Sequence, residues 1–491
     1  MNETNTNIKS KAINGMMWSS GGSFAFQIIR ILTQIILARL LWPEAFGLVA
    51  LVMAFVSVAN YLIENGLTLF LIRKQKLEEN DAFSLFIANM IFAFIIVTIF
   101  VLGSPWISVY LNEPSTQMLL VVSSSAIIFN AYGSVHKAML TRDLQFRGQT
   151  MSMLVAAIVS GIIAVTVSML NFGVWSIVIY NVSLQLIQTI LLTQIYHLDL
   201  RGKIDRQFLK EAIIYSWKLM LSGLIHTVYE NIFNLIMGAL FSVSALGFYS
   251  NALKIRDGAA QTLTDAIQKV SFPVLSKLQN QKESMLETSR RILKLSIFII
   301  YPILIGLAAT SESIVKVVFN EQWLGMIPIM QILAINGLMI PLHKVNLNIL
   351  TVIGRTDLYL RLEIIKKIVA FTTISIALWY GVSIIELLWV LFINAQIGYL
   401  INVHYSKEFV GYGYIDQIKD ISPITLVSFA MGAGVLAVSL LNLGSVSLLG
   451  LQVITGFVLY VLLSYLFIKK EFNDVWNILL MFKNKLIKNK V

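Results

Sequence analysis

Fourteen long apolar stretches succeed one another along the chain, each set off from the next by a short polar or charged interruption. They run over residues 12–41, 45–70, 82–103, 116–140, 150–170, 173–196 and 211–240, and then over 246–275, 292–310, 325–350, 362–380, 384–405, 421–441 and 446–468. A helix needs about 20 apolar residues to cross a bilayer. Backbone in lipid must satisfy its own hydrogen bonds, so stretches of this length are read as helices. The expected fold is all-α and integral to the membrane, with fourteen transmembrane helices. Composition agrees, because 57% of the 491 residues are hydrophobic and only 13% are charged, against roughly 25% charged in a soluble domain. A cytosolic enzyme, a secreted domain and a disordered chain are excluded. Cysteine is absent, which removes disulfides, thiolate metal sites and a cysteine nucleophile. The polar residues 1–11 lead into no short apolar core with a cleavage site, so no signal peptide is expected to be removed.

The formal charge is +11. In a soluble chain that surplus would suggest nucleic acid; here its distribution gives a different reading. Alternate loops and the two tails hold twenty-five basic residues, from Lys9 and Lys11 through Arg73, Lys74, Arg142, Lys203, Lys282 and Arg355 to six lysines between Lys469 and Lys490. The opposite loops hold Lys316, with Arg39 at a helix edge. Cytoplasmic loops carry the lysine and arginine excess, so both termini are expected in the cytoplasm. Trp42, Trp106, Trp175, Trp323 and Trp379 fall at the outer helix ends, as an interfacial belt would. The longest outer loop, from about Ser311 to Leu324, is too short for a catalytic domain.

The chain also repeats itself. MWSSGGSFAFQIIRILTQIILARLLWPEAFGL at 17–48 resembles SWKLMLSGLIHTVYENIFNLIMGALFSVSALGF at 216–248. Trp18 aligns with Trp217 and Phe46-Gly47-Leu48 with Leu246-Gly247-Phe248, at offsets of 199 and 200. TRDLQFR at 141–147 resembles GRTDLYLR at 354–361, at an offset near 214, and His-Lys precedes each, at His136-Lys137 and His343-Lys344. A period of this length spans six helices, so both copies enter the membrane in one orientation, as parallel transporter repeats do. The expected domains are a cytoplasmic N-terminus 1–11, a six-helix lobe 12–196, a pseudo-symmetric six-helix lobe 211–405, two appended helices 421–468 and a basic amphipathic cytoplasmic tail 469–491. In that tail Phe472, Val475, Trp476, Leu479, Phe482 and Leu486 form one stripe suited to the inner leaflet.

Charge inside a span costs ~2.5–3.5 kcal/mol on insertion scales, so it usually marks a wet cavity or a partner. Arg30, Glu64, His226, Glu230, Lys254, Arg256, Asp257 and Asp265 lie on spans one, two, seven and eight, the four that begin the two repeats. Arg30 is equally a candidate to neutralise Glu230. Adjacent Arg256 and Asp257 point about 100° apart on a helix and need not pair. Lys137, Lys218 and Lys344 are near enough to the cytoplasmic face to snorkel, and His136 and His343 read as packing residues. No phosphate-cradling GxxxxGK[ST] run and no metal-ligand spacing occurs, so no cofactor or metal is expected, and the drive must come from a gradient or the membrane potential.

RILTQIILARLLWPEAFGLVALV with ENGLTLFLIRK, ALGFYSNALKIRD continuing to VSFPVLSKLQ, and LTRDLQFR together resemble the polysaccharide-transport (Wzx-like) flippases. These belong to the multidrug/oligosaccharidyl-lipid/polysaccharide exporter superfamily, and the chain is similar to its lipopolysaccharide, exopolysaccharide and teichuronic acid exporters. The resemblance runs from about Gly15 to Lys419; relatives often carry Asp where this chain has Glu64. It implies a transporter and not an enzyme, moving a polyprenyl-pyrophosphate-linked oligosaccharide from the inner to the outer leaflet of a bacterial cytoplasmic membrane by alternating access. Membrane lipids and the polysaccharide polymerase machinery are the partners it implies, and nucleic acid is not one. The residues agree chemically, since a pyrophosphate wants basic groups in a dry-walled cavity. Arg30, Lys254 and Arg256 are the candidate phosphate contacts, Asn231, Asn234 and Asn251 the candidate sugar contacts, and Glu64, His226, Glu230, Asp257 and Asp265 the candidate gating or coupling groups. A multidrug/cation antiporter or a peptidoglycan-precursor flippase of the same superfamily is the alternative.

Overall fold

The computed structural model describes residues 2–65, 67–74, 76–78, 80–198, 202–441 and 443–488. The side chains of Lys218, Leu479, Phe482 and Leu486, and the last three residues of the tail, lie outside what it describes. All the regular structure among the described residues is helical. The chain divides into two compact units, Met1–Ser250 and Asn251–Val491.

The first unit contains α1 (Asn2–Leu40), α2 (Pro43–Asn65), α3 (Thr68–Arg73), α4 (Asp81–Tyr110), α5 (Ser115–Arg142), α6 (Phe146–Met169), α7 (Trp175–Ile195) and α8 (Arg206–Leu240). The polar N-terminus continues the first helix instead of forming a separate tail. Helices α1 and α6 run parallel and approach through small residues: Gly15 lies against Phe146, Gly22 against Thr150 and Gly161 against Thr33. Such small-residue contacts are how helices pack where lipid offers no hydrophobic drive between them. Leu71, Leu85, Val135 and Phe208 are all but fully buried where α3, α4, α5 and α8 meet.

Helix α9 (Val243–Ala259) carries the chain into the second unit, which holds α10 (Gln261–Lys277), α11 (Lys282–Ala309), α12 (Ser311–Val318), α13 (Met326–Gly337), α14 (Met339–Val352), α15 (Thr356–Trp379), α16 (Ile384–Val410), α17 (Tyr414–Val438), α18 (Ser445–Phe467) and α19 (Lys469–Lys488). Helix α11 is its axis. Leu293, Ile297, Ile300, Tyr301 and Leu304 are buried against Leu342 and Val345 of α14, Tyr399 and Val403 of α16, and Ile424 and Val427 of α17. Within this core Asn346 and Gln417 exchange two hydrogen bonds of 3.0 and 2.8 Å, and the Tyr399 hydroxyl donates to Gln417 at 3.1 Å. The first half of α11 is tied to α17 and α19 by charge. Arg290 meets Asp416 and Asp420 at 3.5 Å, Lys294 meets Asp420 at 3.3 Å and Glu471 at 3.2 Å, and Arg291 meets Asp474 at 3.5 Å. In the short link between α16 and α17, burial and the Asp420 carboxylate push the Tyr412 phenol up.

Eleven helices among the described residues are long and apolar enough to cross a membrane by length and composition. Their outer surfaces carry unpaired apolar side chains, Trp106 at 74% exposure and Trp379 at 88% among them, as lipid-facing surfaces must. Trp323 departs from the expected belt. It is fully buried, against Phe319 at 5.4 Å between ring centroids, because the segment folds into α12 and a 3-10 turn, Glu321–Trp323, whose last residue turns inward.

The repeat is visible in the helix ends. Helix α1 stops at Leu40 and α2 starts at Pro43; α8 stops at Leu240 and α9 starts at Val243, a spacing of 200. At the end of α5 the Gln145 and Leu144 amides donate to the Leu140 and Thr141 carbonyls at 2.8 and 3.1 Å; at the end of α14 Arg355 and Gly354 donate to Leu350 and Thr351 at 3.0 and 3.2 Å. Each is a Schellman cap around one left-handed residue, Leu144 at φ 57 and Gly354 at φ 78. The ends of α6 and α15 repeat the motif at Asn171 and Gly381. These caps set the offset at 210, not the 214 suggested by matching TRDLQFR with GRTDLYLR, because hydrogen bonds fix the register and letter identity does not.

Candidate functional site

At the α1–α2 and α8–α9 junctions, inside the first unit, the matched repeat motifs meet each other. A methyl group on Gly47 would overlap the Val243 carbonyl, and one on Gly247 would overlap the Pro43 carbonyl. The contact is reciprocal, with residue i of one motif touching j of the other and the reverse, as at a two-fold interface. Only a residue without a Cβ lets two backbones come this close. The Ser244 hydroxyl donates to the Glu44 carboxylate beside it. Sequence comparison found both glycines, but nothing in the letters said that they face each other.

Of the candidates on the first unit, Arg30 is part-buried in α1 and lies near enough to act electrostatically on the Tyr180 phenol of α7. His226 and Glu230, one turn apart on α8, meet at 3.9 Å and are both largely exposed. The Asn231 amide donates to the Thr227 carbonyl of its own helix at 2.8 Å, and Asn234 is part-buried. Glu64, near the C-terminal end of α2, meets Lys137 of α5 at 3.6 Å.

On the second unit Asn251 is fully buried and Lys254 is exposed. Arg256 and Asp257 do pair, contrary to the expectation from helical angle. The Arg256 Nε and Nη2 groups donate to Asp257 Oδ1 at 2.9 and 2.6 Å. A long, flexible arginine stem folds back far enough to cancel the 100° between neighbours. That stem lies over Gly337, at the break between α13 and α14. Asp265 meets Lys344 of α14 at 3.5 Å and is also reached by Gln261 at 3.2 Å. Lys137 and Lys344, expected to snorkel, therefore each turn to a carboxylate instead.

A polar cluster on α14, α15 and α16 was missed in the sequence. His343 Nδ1 and the Asn402 amide lie 3.0 Å apart, Glu363 and Lys366 form an ion pair on α15, and both act electrostatically on His343. The i, i+3 spacing of Glu363 and Lys366 inside the span at 362–380 was the available signal. Among the described residues no group of three or more His, Asp or Glu side chains is arranged to hold a metal ion. The chemistry of the site is charge and hydrogen bonding.

A family model described as "Polysaccharide biosynthesis protein" matches residues 36–328. The chain is similar to the teichuronic acid biosynthesis protein TuaB of Bacillus subtilis (strain 168), 23% identical over 442 residues that cover 88% of this chain and 90% of the relative. It is similar also to the lipopolysaccharide biosynthesis protein WzxC of Escherichia coli (strain K12), 23% identical over 448 residues, 87% of this chain and 88% of that one. Among solved structures its fold resembles that of the lipid II flippase MurJ in an inward closed conformation, with a TM-score of 0.73 and 16% identity across 93% of this chain and 99% of MurJ.

Proposed function

The chain belongs to the polysaccharide biosynthesis protein family, and from that premise we propose that it is a flippase for a polyprenyl-pyrophosphate-linked oligosaccharide. It carries this precursor of a cell-surface polysaccharide from the inner to the outer leaflet of a bacterial cytoplasmic membrane by alternating access. The observation that carries the reading is the placement of cationic side chains within otherwise apolar helices. Arg30 and Arg256 present the planar fork that suits phosphate oxygens, Lys254 adds a point charge, and Asn231, Asn234 and Asn251 supply amides for sugar hydroxyls.

Fourteen spans in two six-helix lobes, 12–196 and 211–405, followed by 421–468, fit this task. The eleven apolar helices are joined in that count by α8, by α9 with α10, and by α15, helices whose internal charges set them apart from a purely lipid-facing span. Both termini lie in the cytoplasm. Helix α19 rests on the inner leaflet, its acids Glu471 and Asp474 turned to α11, and the lysine-rich sequence of the tail suits anionic headgroups. His226, Glu230, Asp257, Glu64 and Asp265 form the gating and coupling set, with Arg30 meeting Glu230 in one of the two transport states. The polymerase that receives the flipped oligosaccharide is the partner.

The test is transport by the purified chain in proteoliposomes loaded with a lipid-linked oligosaccharide. Outward appearance of the glycan, measured by lectin or enzyme access, is the expected outcome. Exchange of cationic drugs with no movement of the lipid would instead make the chain an antiporter.

A further inference from the structure

Each unit holds a lysine–carboxylate pair that bridges two of its helices at a matching place in the repeat. In the first, Lys137 of α5 meets Glu64 of α2 at 3.6 Å; in the second, Lys344 of α14 meets Asp265 of α10 at 3.5 Å. The pairs correspond in the repeat. Asp265 follows Glu64 by 201 residues where the α2 and α9 starts differ by 200. Lys344 follows Lys137 by 207 where the α5 and α14 caps differ by 210, which leaves the two lysines on the same helix face one turn apart.

Three properties suit these pairs to exchange one anion for another. All four side chains are about half exposed, 47% and 38% in one pair and 41% and 48% in the other. Charge exposed on a span to hydrocarbon is costly, so each pair faces a hydrated space. Both contacts are longer than the ~2.7–2.9 Å of a tight ammonium–carboxylate bond, so a stronger anion can compete for the lysine. Their depth is also specific. Lys137 precedes the inner end of α5 at Arg142 by five residues and Lys344 precedes the end of α14 at Val352 by eight. At 1.5 Å per residue that is roughly 8 and 12 Å, the inner-leaflet zone in which a membrane-anchored diphosphate rests.

We propose that Lys137 and Lys344 are two equivalent phosphate-loading residues, each held in place by its carboxylate until a lipid diphosphate takes the lysine over. The inference rests on the substrate class and orientation given under the proposed function. No bond is made or broken; the lysine exchanges one anion for another of higher charge and more acceptor oxygens. Glu64 and Asp265 keep the ammonium groups from turning to the interface while the site is empty, and Gln261 retains Asp265 once Lys344 has left it.

The experiment measures binding of farnesyl diphosphate, inorganic diphosphate and farnesol to the purified full-length chain by calorimetry. Lys137→Gln and Lys344→Gln, each combined with neutralisation of its acid (E64Q or D265N) to avoid a stranded charge, are expected to weaken farnesyl diphosphate about tenfold apiece and leave farnesol unchanged. Lys→Arg at either position should retain most binding. Glu64→Gln alone, which frees its lysine, should tighten it severalfold. If inorganic diphosphate shows the same losses, the phosphate groups alone are read; if only the lipid form does, the loading site requires the anchored ligand, and both outcomes support the assignment. Unchanged diphosphate affinity in the neutralised pairs, or full affinity in the charge-swapped variant E64K/K137E, overturns it while leaving the flippase reading intact. Failure of the unsubstituted chain to bind any diphosphate overturns both.

Discussion

Gly47 and Gly247 show how one missing carbon can define a state. Each faces a backbone carbonyl, which has no rotamer to move into, so even Gly47→Ala must separate the two junctions. Gly47→Val or Gly247→Val is expected to leave insertion normal and to reduce export severely, read as surface glycan against protein level in the membrane. The same site offers a direct probe, since the chain has no native cysteine. Cysteines at Glu44 and Ser244, whose side chains already touch, should crosslink on mild oxidation and block export until reduced; failure to crosslink would deny the contact. Arg256 poses the opposite problem, a guanidinium already engaged by Asp257. Arg256→Ala is expected to abolish export with the protein still inserted, and Arg256→Lys to restore only part of it, because an ammonium cannot reproduce the bidentate fork. Asp257→Asn should keep export measurable while tightening diphosphate binding.

Among the elements, α19 is attached by a few apolar contacts and by charge. Phe472 and Val475 pack on the second unit's core, and Glu471 and Asp474 pair with Lys294 and Arg291. Partly exposed pairs contribute about 0–1 kcal/mol each, so Glu471→Gln with Asp474→Asn should loosen the helix without unfolding the unit. Faster tryptic cleavage at Lys469 and Lys470 with little change in the main thermal transition is the expected result. The helix pairs α5–α6 and α14–α15 make a different point. Their Schellman caps share a register of 210 although one left-handed position is Leu144 and the other Gly354. Leu144→Gly should therefore be tolerated or mildly stabilising, since it removes the strain of a side chain at positive φ. Glu363 and Lys366 were overlooked as sequence because two opposite charges at i, i+3 near a span start look like a solvated end; that Lys366 is only 16% exposed is a tertiary fact.

For the whole molecule the decisive prediction is topology. Membrane-impermeant labelling of single cysteines should find Lys203 and Lys485 inside and Glu113 and Gln322 outside; Lys203 reached from outside would end the fourteen-span reading. Several features of this protein were legible in the letters. Length and spacing of apolar runs determined an all-helical membrane fold, because lipid allows the backbone few other solutions. The alternation of basic loops supplied an expected orientation, and the recurrence of Phe46-Gly47-Leu48 as Leu246-Gly247-Phe248 exposed the duplication. The partner of each charge was not legible. Whether Arg256 would reach its neighbour, whether Lys137 and Lys344 would snorkel or turn to Glu64 and Asp265, and whether Trp323 would face the interface or be enclosed were decided by tertiary structure. Hydrophobic periodicity is a property of one helix against its solvent and survives in the sequence. Pairing depends on which helices are neighbours and on rotations of a few tens of degrees about their axes, and those are set only when the helices pack.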